Sequence, residues 1–319
     1  MSIQRVLCPI DLSEHSRLTL HHAQATATWY DAELHVLHVR QDVMPVVASS
    51  HPVAPPNLIA GVGAAPPMTA LHAFIAETGP PRPVFPVVRD GKPAPVIVDY
   101  AAEVGADLLV IGTHGHGGFE RLLLGSTAEH VINEAPCPVL NIPARGDEPG
   151  SAERVRFTHI LCAVDFSPAS MRALERGLSL AQEFAARVSL LHVLELPAKI
   201  ELVSEMGVPL HEYVARKAAE AHERLAAAVP QDARSWCRVQ ELVRTGRSAP
   251  IILQEAELCH ADLIVMGSQG HQGISLAFLG STTHTVLRGA GCPVLTAHGA
   301  PAPRARAAPP AAVESGFER

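Results

Sequence analysis

The sequence predicts an α/β fold: two tandem doubly wound domains, each a five-stranded parallel sheet ordered 3-2-1-4-5 with helices on both faces. Three observations carry that expectation, and the first is a repeat. Cys8-Pro9-Ile10-Asp11-Leu12-Ser13 returns as Cys162-Ala163-Val164-Asp165-Phe166-Ser167, and His38-Val39 as His192-Val193, both displaced by 154. Gly112-Thr113-His114-Gly115 returns as Gly267-Ser268-Gln269-Gly270, displaced by 155. Gly125-Ser126-Thr127 returns as Gly280-Ser281-Thr282, and Cys137-Pro138-Val139-Leu140 as Cys292-Pro293-Val294-Leu295, again by 155. A period this long duplicates whole domains, since solenoid repeats run to about 20–50 residues. The second observation is alternation: short continuous apolar runs separated by helical patterns mean a parallel sheet covered on both faces. The third is length, because 319 residues give each copy room for its own core.

The second copy shows the elements most plainly. Residues 160–164 read as its first strand, and Ser167-Pro168 as a helix start, a side-chain cap followed by proline in the first turn. Met171, Leu174, Leu178, Ala181 and Ala185 then step by three and four along one helical face. Residues 188–194 form the second strand and 208–229 a long Ala/Glu-rich helix. A third strand, 239–243, is closed by Thr245-Gly246, and Ile252, Ala256 and Cys259 mark the next helix. The fourth strand is 263–266, a short helix covers 281–288, and the fifth strand is 293–296. The first copy keeps this order, with a weaker apolar stripe on its first helix and a Pro/Ala/Val-rich stretch at 40–67. The expected domains are 1–144 and 157–298, joined by a polar linker at 145–156. An Ala/Pro/Arg-rich tail at 299–319 reads as disordered.

Composition narrows the class. Aromatics make up only 4% of a chain that is 47% apolar, so Ala, Val, Leu and Ile build the cores. A net charge of -7 leaves no footprint for nucleic acid or an acidic membrane. Lysine occurs only at Lys92, Lys199 and Lys217, so cationic sites must rely on arginine. Of the 6 cysteines, Cys8, Cys162, Cys137 and Cys292 sit at equivalent apolar positions and read as small buried hydrophobes. The start of the chain runs into a strand without a basic n-region and cleavage site. No apolar run reaches the roughly 18 residues of a membrane span. A cytoplasmic protein is expected.

In a sheet of this order, ligands bind beyond the carboxyl ends of the strands at the switch point between strands 1 and 4. The repeated polar residues fall there. Asp11 and Asp165 follow strand 1, and Gly112-x2-Gly115-x9-Gly125-Ser126 and Gly267-x2-Gly270-x9-Gly280-Ser281 follow strand 4. Glycines at a strand exit let the backbone turn with positive φ and approach a ligand closely. Gly-Ser then opens a helix, setting free N–H groups, a hydroxyl and the positive dipole end where a phosphate would sit. No G-x-x-x-x-G-K-[ST] occurs, and no G-x-G-x-x-G follows either first strand.

These residues, across both halves, resemble a tandem universal stress protein of the nucleotide-binding branch, whose motif is G-x2-G-x9-G-[ST]. The resemblance implies an ATP site in each domain of a stress-response protein. Pro9, Asp11 and Val39, and in the second copy Ala163, Asp165 and Val193, would bound adenine and ribose. Gly112, Gly115, Gly125, Ser126 and Thr127, with Gly267, Gly270, Gly280, Ser281 and Thr282, would hold ribose and phosphates. Arg121 lies in the first loop, while its counterpart is Ala277 and the second loop holds no cation. Phosphates there would rely on backbone N–H groups, with Mg²⁺ as the available counterion. No general base or nucleophile recurs and no catalytic lysine is available, so no catalytic residue is assigned; at most slow ATP hydrolysis is expected.

Other readings of the same residues stand beside this one. The glycines could serve only the strand-to-helix turn, and the aspartates could cap the following helix. Arg89-x-Gly91-Lys92 and Arg244-x-Gly246-Arg247 read as a turn after strand 3 with solvated charges. His38 and His192 read as rim residues. His114, His116 and His271 in the glycine loops would suit a metal-dependent hydrolase, but no carboxylate or cysteine completes a ligand set, and no metal is assigned. A scaffold without nucleotide, acting through protein contacts, is the main functional alternative. The fifth strands are expected at sheet edges, where the resemblance implies pairing through strand 5. That pairing would make either a homodimer or a pseudo-dimer within one chain, with Val139 and Val294 near the middle.

Overall fold

The computed structural model describes residues 3–41, 67–78, 84–113, 124–143, 157–196, 209–270 and 279–298. The first domain runs β1 (Arg5–Ile10), α1 (Glu14–Tyr30), β2 (Glu33–Arg40), α2 (Pro67–Glu77), β3 (Val84–Asp90), α3 (Pro93–Val104), β4 (Leu108–Gly112), α4 (Ser126–Glu134) and β5 (Val139–Ile142). The second runs β6 (His159–Ala163), α5 (Pro168–Phe184), β7 (Arg187–Leu194), α6 (Leu210–Ala228), α7 (Ala233–Trp236), β8 (Val239–Thr245), α8 (Ser248–Leu258), β9 (Leu263–Gly267), α9 (Ser281–Gly289) and β10 (Val294–Ala297). The one-turn α7 has no sequence signature, because four residues are too few to show a period.

The ten strands of the described residues join one sheet in the order β3-β2-β1-β4-β5-β10-β9-β6-β7-β8. Each half therefore has the order 3-2-1-4-5, with strand 1 between strands 2 and 4. Pairing within each half is parallel, and β5 meets β10 antiparallel. The central strands are buried because helices cover both faces, whereas the edge strands β3 and β8 are half-exposed. Pro86 lies in edge strand β3, where a missing N–H does least harm. Two apolar layers run the length of the molecule. One lies under α1, α2, α5 and α6, the other under α3, α4, α8 and α9.

The weak stripe on α1 has a physical reason. Its buried positions include Ser16, Thr19 and Thr26, and the two threonine hydroxyls donate back to the carbonyls of His15 and His22. The repeated cysteines behave as apolar fillers. Burial pushes the thiols of Cys137 and Cys162 up to about 12, and that of Cys8 higher still.

At the seam, Leu140 faces Leu295, Asn141 faces Val294 and Val139 faces Thr296. The centre is thus the leucine pair, with Val139 and Val294 next to it, near the middle of the contact as expected. The valines flank the centre and point into the opposite apolar layer. The Asn141 amide donates to the Val294 carbonyl at 3.0 Å, while the Thr296 hydroxyl donates to the Val139 carbonyl at 3.3 Å. Among the described residues, no helix is long and apolar enough to cross a membrane.

Candidate functional site

Each domain gathers its repeated polar residues at the carboxyl ends of its strands. In the first, Pro9 and Asp11 close β1, Val39 lies near the end of β2, Gly112 ends β4, and Gly125 precedes α4. In the second, Ala163, Asp165, Val193, Gly267 and Gly280 occupy the matching places on β6, β7, β9 and α9. Gly270 follows β9 and is exposed. Gly115, Arg121, His114, His116 and His271 lie outside the described residues.

The strand-1 exit is built the same way twice. Leu12 has φ 62 and Phe166 φ 63, a left-handed conformation that bulky residues rarely adopt. Such backbone costs about 1–3 kcal/mol and persists only where its surroundings over-determine it. Here the aspartate does so. Asp11 Oδ1 accepts the Ser13 N–H at 3.0 Å, and Asp165 Oδ1 accepts the Ser167 N–H at 3.0 Å. These are Asx turns, and they place one carboxylate oxygen in the service of the fold. Asp11 Oδ1 also accepts the Ser16 hydroxyl at 2.6 Å. In the second domain the Ser170 hydroxyl donates to the Ser167 carbonyl at 3.1 Å.

Behind this turn, His38 and His192 bond through Nδ1 to the carbonyls of Ile10 at 3.1 Å and Val164 at 2.7 Å, tying the ends of strands 1 and 2 together. Burial lowers the His192 pKa, the Val164 carbonyl opposes that shift, and Arg224 adds to it. The guanidinium of Arg224, on α6, lies 3.8 Å from the centre of the Phe166 ring, which in turn lies 4.7 Å from the His192 ring. A cation absent from the second glycine loop is thus brought to that domain's strand-1 exit by a distant helix.

The loop after strand 4 is also closed identically in both copies. Gly125 N–H donates to the Thr113 carbonyl at 2.9 Å, and Gly280 N–H to the Ser268 carbonyl at 3.0 Å. Gly125 and Gly280 are the N-caps of α4 and α9, and neither helix has a side-chain cap. Both take ordinary negative φ, -63 and -60. Among the described residues, positive-φ glycines are Gly91, Gly105 and Gly246, so the expectation of positive φ is corrected for the described site glycines, Gly112, Gly125, Gly267, Gly270 and Gly280. Left-handed backbone falls instead on Leu12 and Phe166, and on the turn after strand 3. There Arg89 pairs with Glu103 and Arg244 with Glu255.

What a side chain would meet separates the glycines. At Gly267 a Cβ would lie 2.8 Å from the Ser170 backbone nitrogen, so this glycine lets β9 pack against the start of α5. At Gly270 it would lie 2.6 Å from Asp165 Oδ2, which brings the glycine loop against the carboxylate of the strand-1 turn. The Ser167 hydroxyl reinforces that contact by donating to the Gln269 carbonyl at 3.4 Å. At Gly125 and Gly280 the nearest atoms would be 3.4 and 3.6 Å away, ordinary contact. Ser126 and Ser281 are exposed in the first turn, beside Thr127 and Thr282. Among the described residues, the buried Ser268 hydroxyl at the β9 exit has no hydrogen-bond partner.

Together these features define a tandem, doubly wound α/β protein with one uncapped helix N-terminus at the switch point of each domain. The chain belongs to the universal stress protein family, whose sequence profile matches residues 2–143 and again 156–298. A universal stress protein of Mycolicibacterium smegmatis is 28% identical over 300 residues, covering 91% of this chain and 95% of that protein. One from Thermus aquaticus is 34% identical over 135 residues, 42% of this chain and 95% of its own length. The crystal structure of a universal stress protein from Archaeoglobus fulgidus matches the fold with a TM-score of 0.59 at 20% identity, covering 94% of this chain and 100% of that one.

Proposed function

We propose that one or both domains bind an adenine nucleotide, ATP, as a regulatory or structural ligand in a stress response. The observation that carries this reading is the glycine at both N-caps. Ser, Thr, Asp or Asn there would stabilise the helix by roughly a few tenths of a kcal/mol relative to glycine. Neither the backbone angle nor the space around Gly125 and Gly280 demands glycine. What glycine leaves open is the first turn of N–H groups, which with the helix dipole suits a phosphate. Ser126, Thr127, Ser281 and Thr282 would add hydroxyls, with Gly112, Gly115, Gly267 and Gly270 lining the approach. Asp11 and Asp165, using the carboxylate oxygen beyond the Asx turn, would accept from adenine or ribose beside Val39 and Val193, with Pro9 and Ala163 behind them. Mg²⁺ would accompany the phosphates, and Arg121 and Arg224 would supply cationic character to the first and second sites.

A scaffold that keeps the turns and binds no nucleotide draws support from Asp11, Asp165 and Gly267, whose places the fold itself explains. Chromatography of the supernatant from freshly purified, denatured protein separates the two. Adenine nucleotide near one or two equivalents per chain supports binding. None released, with no heat of ATP binding on titration, leaves the scaffold.

A further inference from the structure

The two switch points differ on the face of the sheet away from the uncapped helix. In the second domain α6 packs on β7 and β8 and carries Arg224 to the strand-1 exit, its guanidinium over the Phe166 ring at 3.8 Å. A guanidinium stacked on a ring keeps its N–H donors in its own plane, pointing sideways and unengaged by the stack. Phe166 is itself held, by its left-handed backbone and by the His192 ring 4.7 Å away. Arg224 is exposed, and among the described residues it forms no ion pair and no hydrogen bond. Its charge is nonetheless felt at the end of β7, where burial and, after it, Arg224 lower the His192 pKa. The first domain has no such arrangement. Leu12 stands in place of Phe166, and displacements of 154 and 155 put Ala70 or Thr69 in place of Arg224.

A guanidinium fixed by stacking, with its donors open, matches a phosphate in shape and charge. The faces of the sheet decide which part of a ligand would carry that phosphate. Arg224 sits on α6, over one apolar layer, whereas α9, whose N-terminus would take the 5′-phosphates, covers the other. Asp165 lies between them, next to Phe166 in the chain and against the Gly270 backbone in space. In doubly wound nucleotide sites a carboxylate near the ribose takes a free hydroxyl, while an arginine there accommodates a phosphate on that hydroxyl. Building on the reading that the second domain binds an adenine nucleotide, we infer that Arg224 is its specificity-determining residue, favouring a nucleotide with an additional phosphate on the ribose. The first domain, with Asp11 and no arginine at the matching position, favours free ribose hydroxyls. Phe166 is a positioning residue that aims the guanidinium.

The test uses the full chain and calorimetry with ADP, adenosine 2′,5′-bisphosphate and adenosine 3′,5′-bisphosphate. These probes are isomers, equal in base and phosphate, so only the placement of the second phosphate differs. Arg224→Gln should weaken the better-bound bisphosphate about tenfold, the usual worth of a charged hydrogen bond, and ADP less than about threefold. Phe166→Leu, which installs the residue of the first domain, should also weaken the bisphosphate more than ADP. Should ADP bind and neither bisphosphate do so, or should Arg224→Gln weaken both kinds of probe equally or not at all, the inference is overturned while nucleotide binding stands. Undiminished bisphosphate binding in Phe166→Leu would remove Phe166 from it. Binding of no probe would overturn the nucleotide reading and this inference with it.

Discussion

The two domains agree in backbone and differ in the side chains that secure it. Both hold a bulky residue left-handed after strand 1, both close that turn with an aspartate, and both leave the helix after strand 4 uncapped. The bonding around that frame is distributed differently. In the first domain the Ser16 hydroxyl donates to Asp11, and Ser13 makes no cap to α1. In the second, the Ser167 hydroxyl caps α5 by accepting the Ser170 N–H at 3.2 Å and also donates into the glycine loop. What two copies of one fold retain through different bonding is the shape of the strand ends, and that shape is what a ligand would meet.

The seam offers the largest effect with which to break this comparison. Leu140→Ala and Leu295→Ala remove equivalent, buried side chains from the axis, and each should cost about 2–5 kcal/mol. Urea unfolding should give nearly equal losses. A marked inequality would mean that the two halves are not related as the pairing implies.

Acid should act unequally on the two domains. Burial, reinforced by His21, lowers the His22 pKa to about 4, while the equivalent position in α5 is Arg176, charged throughout. The folded value lies below the unfolded one, about 6.5, so the unfolded chain takes up the proton first. Stability conferred by neutral His22 is present above pH about 6.5 and is lost as pH falls toward about 4, by about 2–3 kcal/mol. Urea midpoints at pH 7 and pH 4.5 should differ less in His22→Gln than in the unaltered chain.

Gly280→Ser sharpens the comparison at the second site. A side-chain cap should stabilise the ligand-free protein by a few tenths of a kcal/mol, about the usual gain of Ser over Gly. The same hydroxyl would occupy the N–H groups and should weaken ATP at that site about tenfold, leaving the first site unchanged. Calorimetry beside thermal melting reads both, and tightened or unaltered ATP binding would remove the helix N-terminus from the site.

The smallest contrast lies between the two serines. Ser167→Ala should cost about 1 kcal/mol through the lost cap, and Ser13→Ala within about 0.5 kcal/mol of nothing. Equal losses by chemical denaturation would erase the distinction drawn between the two turns.

Much of this was legible from residue types and spacing, for identifiable reasons. Strand order follows from alternation and buried runs, and the glycine motifs locate the switch point because only a strand exit calls for them there. The Asx turn is legible in Asp-x-Ser, repeated as Asp11-Leu12-Ser13 and Asp165-Phe166-Ser167. Left-handed Leu12 and Phe166 could not be read, since propensity argues against both residues and only the surrounding bonds impose that backbone. Arg224 escaped notice because it approaches Phe166 from another helix. The contacts between the ends of α1 and α5 escaped for a similar reason. They join Trp29 to Phe184 and Tyr30 to Glu183, and a repeat aligned on itself reveals matching positions, never the crossed pairs that meet at an axis.

The antiparallel seam also bears on how such a protein can change. In a dimer of identical single domains, every substitution is written on both sides of the axis, so a new residue must suit a second copy of itself. Here Asn141 and Thr296 occupy equivalent positions and lie within reach of each other at 3.4 Å, two different residues sharing one junction. Fusion within one chain lets each side of the contact mutate separately. It also keeps the halves at high effective concentration however dilute the protein becomes. One domain can therefore drift in ligand or partner while its twin keeps the original task.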